Sequence, residues 1–181
     1  MCKIWIFLSF VCILGFGAEK EKGESNMDSK IFRKIMIATD GSELVKKAVD
    51  SAIEIAKLCH AKLYAVYVIS FGGYSITPSK ENAWEKAMKE QLIKEGKEAT
   101  TYVENIGRAA NIEVESVILE GNPVDEIVDF AEKNEIDFIV MGTQGKNVIE
   151  RFLIGSVTEN VVRRSKKLVF IVRGDTIEKD K

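Results

Sequence analysis

Proline, cysteine and histidine are all scarce in this chain: its 181 residues include two prolines, three cysteines and one histidine. So little proline, with 46% hydrophobic and 30% charged residues, excludes collagen-like and disordered classes and leaves a soluble globular protein. Cys2, Cys12 and Cys59 form no CxxC pair. Neither a zinc site nor a disulfide framework is indicated, and a reducing cytosol fits best. His60, directly after Cys59 at the end of a helical pattern, reads as a helix-end residue rather than a ligand. Charge of one sign is also missing. The 26 Lys and Arg interleave with 28 Asp and Glu for a net charge of −2. No basic face results of the kind that neutralises a nucleic-acid backbone, which excludes nucleic acid as a partner.

A comfortable membrane span is lacking too, since the apolar stretch Ile4 to Ala18 falls short of the ~20 residues a bilayer requires. Around it, residues 1–29 differ from everything that follows. Lys3, the apolar stretch, small residues between Gly15 and Ala18 and then the charged Glu19 to Glu24 resemble a secretory signal. Cys12 lacks the small residues that a lipoprotein cleavage site needs before it. Three readings stand for this extension: a start assigned too early, with translation beginning at Met27; an export segment or membrane anchor; or an ordered part of the fold. Residues 30–181 are then one domain, cytoplasmic unless the extension is a genuine signal or anchor.

From Lys34 onward, short apolar runs alternate with stretches of 3.6-residue period, the signal of βα units on a parallel sheet. Ile35–Thr39, Lys62–Ser70, Ile112–Glu120, Phe138–Met141 and Leu168–Arg173 read as five strands, apolar enough to be covered on both faces. Val45, Ala48, Val49, Ala52, Ile53 and Ala56 share one face of a first helix whose other face is charged. A long helical region follows from Lys80 to Asn111, where Gly96 and Gly107 suggest a bend or an early stop. Asn122-Pro123 is a helix entry, with Asn as cap and Pro in the first turn. Thr158 to Arg164 reads as the last helix, entered at Ser156, and Phe71 to Ser79 as a loop.

Two motifs carry chemistry. Met141-Gly142-Thr143-Gln144-Gly145, nine residues, then Gly155-Ser156-Val157-Thr158 follows a strand pattern and leads into a helix pattern. Glycines let backbone N–H groups approach a phosphate, and a helix opening at Ser156 aims free N–H groups and its positive dipole end at the same anion. ATP or a related nucleotide is the natural guest. The spacing is neither that of a P-loop nor that of a dinucleotide fingerprint. The second motif is Ala38-Thr39-Asp40-Gly41-Ser42, which puts a carboxylate at the carboxyl end of strand one, where ligands gather in open α/β sheets. Asp40 can accept a ribose hydroxyl or coordinate a magnesium ion travelling with the phosphates. The plainer reading is that Asp40 or Ser42 caps the following helix, with Glu43 completing a capping box. Lys146, Arg151, Arg163 and Arg164 read mainly as solvated surface.

These residues resemble the universal stress protein family, in its ATP-binding branch, over Lys34 to Arg173. The anchors are Ala38 to Ser42, Glu120-Gly121-Asn122-Pro123, the strand Asp137 to Met141, and the glycine pattern ending Ser156-Val157-Thr158-Glu159-Asn160-Val161. The resemblance implies a Rossmann-like open five-stranded parallel sheet of order 3-2-1-4-5 with helices on both faces. It also implies that Ala38, Thr39 and Asp40 touch base and ribose, and that Val68 lines an adenine slot. Met141 and Gly142 would flank the ribose, while Gly145, Gly155, Ser156, Val157 and Thr158 hold the phosphates. Magnesium or manganese would accompany ATP at Asp40. Ala38 replaces the proline common before the acidic residue, and Gln144 stands where many members have His or Arg. A last strand as apolar as Leu168 to Val172 at a sheet edge implies a homodimer through it.

No catalytic residue is assignable, since efficient phosphoryl transfer needs a base or water-orienting group and more charge neutralisation than one carboxylate. The expectation is a nucleotide-dependent regulator of stress physiology with an unidentified protein partner, at most a slow ATPase that needs that partner. Two rivals stand beside it. An adenylyl-transferring or ATP-pyrophosphatase enzyme would carry a Ser-Gly-Gly loop or paired-histidine motif where this chain has Thr39-Asp40-Gly41-Ser42 and one histidine. A docking module would use ATP only structurally.

Overall fold

The computed structural model describes residues 32–71, 83–143 and 154–174. The N-terminal extension, most of the loop predicted over Phe71 to Ser79, the first residues of the long helical region, and Gln144, Gly145, Lys146 and Arg151 lie outside the described residues. Five strands, β1 (Lys34–Ala38), β2 (Lys62–Ile69), β3 (Val114–Glu120), β4 (Phe138–Gly142) and β5 (Leu168–Val172), form one sheet of order β3-β2-β1-β4-β5. All four pairings are parallel, as the alternating pattern predicts. The helices are α1 (Lys46–Cys59), α2 (Ala83–Ala109), α3 (Pro123–Lys133) and α4 (Ser156–Arg164).

Side-chain alternation along the strands splits the core into two layers. Ile35, Ile37, Leu63, Ala65 and Val140 pack against Ala48, Val49 and Ala52 of α1 and Val103 of α2. Their neighbours Met36, Tyr64, Val66, Ile139 and Met141 face the other way, onto Ile127, Val128 and Ala131 of α3 and Val161 of α4. Burying each such aliphatic side chain contributes about 1.5–3 kcal/mol, so a one-residue register slip in β1 would exchange both layers at once.

Helix ends follow the predicted chemistry. The Asn122 side chain accepts from the N–H groups of Val124 (3.0 Å) and Asp125 (3.4 Å), and Pro123 opens α3. His60 ends α1 in the left-handed conformation (φ 51°), with Ala61 N–H closing onto Ala56 O at 2.9 Å.

Two expectations need correction. Helix α2 runs unbroken through Gly96 and Gly107, because both glycines are points of close approach to the sheet. A Cβ at Gly96 would come within 2.8 Å of the Tyr67 ring, and one at Gly107 would run into the Val114 side chain. The strand predicted from Ile112 begins instead at Val114. Asn111 turns left-handed (φ 58°), and the Ile112 N–H is spent on Gly107 O (2.9 Å), closing α2 rather than opening β3.

Candidate functional site

Parallel strands point their carboxyl ends one way, and the order reverses between β1 and β4, so the crevice beyond those two strands is where a ligand fits. Ala38 pairs with both Val66 and Met141. Two residues further on, that register sets Asp40 level with Val68 and Thr143. Ala38, Val68 and Met141 line the α3/α4 side of the sheet end as a small apolar wall.

The loop after β1 is held by its own backbone. Thr39 N–H extends the ladder to Val66 O (2.9 Å), Gly41 N–H donates to Thr39 Oγ1 (3.1 Å), and Ser42 N–H donates to Asp40 Oδ1 (3.0 Å). Gly41 turns left-handed at φ +72°, where a Cβ would press on that of Ala99 at 3.0 Å. The predicted capping box does not form. Asp40 makes a local turn instead of capping a helix, Glu43 pairs with Lys46 (2.6 Å), and Ser42 Oγ is buried with no hydrogen-bond partner. That ion pair, chiefly through the hydrogen bond Lys46 donates to Glu43, raises the Lys46 pKa above its ordinary value.

The second half of the glycine pattern closes on the first. Gly155 is extended (φ −61°, ψ 147°) and caps α4, donating its N–H to Thr143 O at 2.7 Å. Ser156 is the first helical residue, so the N–H groups of Ser156, Val157 and Thr158 have no acceptor within the helix. Glu159 N–H makes the first intrahelical bond, to Gly155 O. Three donors without an intrahelical acceptor and the positive dipole end of α4 therefore lie at the start of this helix, next to the end of β4.

Side chains divide the same turn: Ser156 is exposed, Val157 packs on the α3/α4 core, and Thr158 is buried with its hydroxyl on Gly142 O at 2.9 Å. That last bond is invisible in the sequence, where the resemblance puts both Ser156 and Thr158 among the phosphate-holding residues.

The structure thus brings Ala38, Asp40, Val68, Met141, Gly142, Gly155, Ser156, Val157 and Thr158 around one sheet end, with Thr39 facing the other layer. Gly145 lies outside the described residues. Arg163 and Arg164 are exposed and paired with Glu159 (2.8 Å) and Asp125 (2.6 Å), as expected of solvated surface. Among the described residues no group of three or more His, Cys, Asp or Glu could hold a metal ion. No helix among them is long and apolar enough to cross a membrane. A separate cavity of about 240 Å³ lies on the far side of the loop, against Glu95, Glu98, Ala99 and Tyr102 of α2.

A model of the universal stress protein family matches residues 31–173. The chain belongs to the universal stress protein family. Among its relatives, the universal stress protein MJ0531 of Methanocaldococcus jannaschii is 41% identical over 143 residues, 79% of this chain and 83% of that protein. The solved structure of MJ0577 from the same organism superposes with a TM-score of 0.70 at 29% identity, covering 80% of this chain and 98% of that one. The universal stress protein of Archaeoglobus fulgidus, solved in complex with dAMP, superposes with a TM-score of 0.58 at 27% identity, covering 79% and 99%.

Proposed function

We propose that this universal stress protein binds ATP at the β1/β4 crevice and acts as a nucleotide-dependent regulator, with hydrolysis at most slow and dependent on a protein partner. One observation carries the reading: at the sheet end where the strand order reverses, the N–H groups of Ser156, Val157 and Thr158 open α4 without an acceptor in the helix, and Asp40 follows the neighbouring strand β1. The dAMP complex of the Archaeoglobus fulgidus relative supports an adenine nucleotide as the class of guest.

In this reading Val68 and Ala38 contact the base, while Asp40, Met141 and the Thr39 backbone contact the ribose. Gly142 flanks the ribose with Met141, and Gly145, Gly155 and the first turn of α4 hold the phosphates. Asp40 is the single carboxylate offered to a magnesium or manganese ion, which would take its remaining ligands from phosphate oxygens and water. Such an ion screens phosphate charge when bound. No residue set suited to fast phosphoryl transfer accompanies it.

Titrating ATP with magnesium into the full chain, freed of carried-over nucleotide, tests the site by calorimetry. Micromolar binding is expected; no binding would leave the glycine pattern as a turn and favour a docking module. Turnover by the protein alone at ordinary kinase rates would overturn the regulator reading.

A homodimer through β5 is the second part of the proposal. Leu168 and Phe170 are 59% and 43% exposed on this edge strand, and covering them would remove an apolar patch from water. Phe170→Lys should yield a monomer in sedimentation analysis, and a dimer that persists would argue for another interface.

A further inference from the structure

From the hydrogen bonds around Gly142 we infer that Thr158 is a positioning residue for the phosphates: its hydroxyl latches the first turn of α4 to the end of β4. The inference rests on the nucleotide-binding reading above and assigns a task within that site.

A threonine hydroxyl has one proton to give, and that of Thr158 is donated to Gly142 O at 2.9 Å, within a residue only 6% exposed. The helix itself has no need of this bond, because a side chain in the first turn caps nothing by donating to a strand carbonyl. One residue along, Gly155 N–H donates to Thr143 O at 2.7 Å. The two bonds cross between the same two segments, sixteen and twelve residues apart in sequence, and stitch the two halves of the glycine pattern together. Packing of Val157 on the α3/α4 core fixes the turn from beneath.

The consequence is a division of labour within three residues. Ser156 is exposed and keeps a free hydroxyl for a ligand, whereas Thr158 reaches phosphate only through its N–H, whose direction the latch sets. Hydrogen bonds weaken steeply below about 120°, so three N–H groups converge on one anion only if the turn is held in a single orientation.

Two variants separate this role from simple stability. Thr158→Val is nearly isosteric and lacks the hydroxyl, and Thr158→Ser keeps it. Affinities for ATP and for adenosine would be measured on the full chain by displacement of a fluorescent ATP analogue, alongside melting temperature. Thr158→Val should lose about tenfold or more in ATP affinity while adenosine affinity stays the same, and Thr158→Ser should restore ATP binding to within about threefold.

An unchanged ATP-to-adenosine ratio in Thr158→Val, whatever its melting temperature, would overturn the latch. Should that variant not fold, Thr158→Ala is read by the same ratio. Wild-type protein that binds neither compound would overturn the nucleotide reading itself, a result distinct from any effect of Thr158.

Discussion

At the end of the sheet where the strands begin, side chains tie strand starts together, whereas at the end where they finish the first turn of α4 keeps N–H groups that no helical carbonyl meets. Asp137 Oδ2 accepts both the Arg33 N–H (2.8 Å) and the Lys34 N–H (3.0 Å), tying the start of β1 to that of β4. Lys34 Nζ donates to Asn134 O at 2.9 Å, and Lys62 sits between Glu113 and Glu115, each at 2.8 Å. At the opposite end the first turn of α4 keeps three N–H groups without an acceptor among the described residues. Unsatisfied backbone donors are costly unless water or a ligand meets them. One end therefore spends its hydrogen-bonding capacity on the fold, and the other leaves part of it without an acceptor among the described residues.

The sharpest way to break this comparison is a crossed pair of variants. Gly155→Glu places a carboxylate beside the three donors, at an extended position any residue can adopt, and should weaken ATP binding by about 100-fold or more, roughly 2.7 kcal/mol. Its melting temperature should move little, since exchange of residues at a helix cap costs only about 1 kcal/mol. Asp137→Ala should do the reverse, costing about 2 kcal/mol through two lost charge-assisted bonds and leaving calorimetric ATP affinity unchanged. For a chain of this size that lowers the melting temperature by roughly 6 °C. Loss of ATP binding in Asp137→Ala would mean that the two ends are coupled.

The smallest effect expected is at Lys62. Its pKa is raised above the ordinary lysine value by hydrogen bonds to Glu113 and then Glu115. A raised pKa means the folded state holds the proton more tightly. The resulting stabilisation is complete below about pH 10.5, the unfolded value, and fades as pH climbs through the higher folded value. Urea midpoints of wild type and Lys62→Gln should differ by a small, constant amount from pH 8 to 10 and converge above that range. Midpoints that instead diverge with rising pH would contradict the assignment.

Much of this architecture is legible from local pattern. Nearly continuous apolar runs mark the five strands, a 3.6-residue stripe marks α1, and Asn122-Pro123 marks the entry to α3, because each signal is contained within a few residues. The sheet end at Asp40 and Gly142 is legible because both residues terminate strands that the topology makes neighbours. What stayed hidden depends on partners distant in sequence. Gly96 and Gly107 look like helix breakers until Tyr67 and Val114 are known to pack against them. The Thr158 hydroxyl looks free until Gly142, sixteen residues earlier, is seen to accept it. Asp40 and Ser42 resemble capping residues, yet local turn bonds of the Thr39–Ser42 loop take precedence.

Gly174 follows β5 so closely against the Glu43–Val45 turn that a Cβ there would lie 2.6 Å from Leu44 O. The described chain thus exits beside the loop that carries Asp40, while it enters at the far end, where Phe32 stacks on Phe138 at 5.4 Å. A purification handle or fluorophore attached next to Gly174 would stand beside the Glu43–Val45 turn that follows the Asp40 loop. One placed ahead of Phe32 would stand a full strand length away, so partner-capture experiments have a preferred side from which to hold this protein.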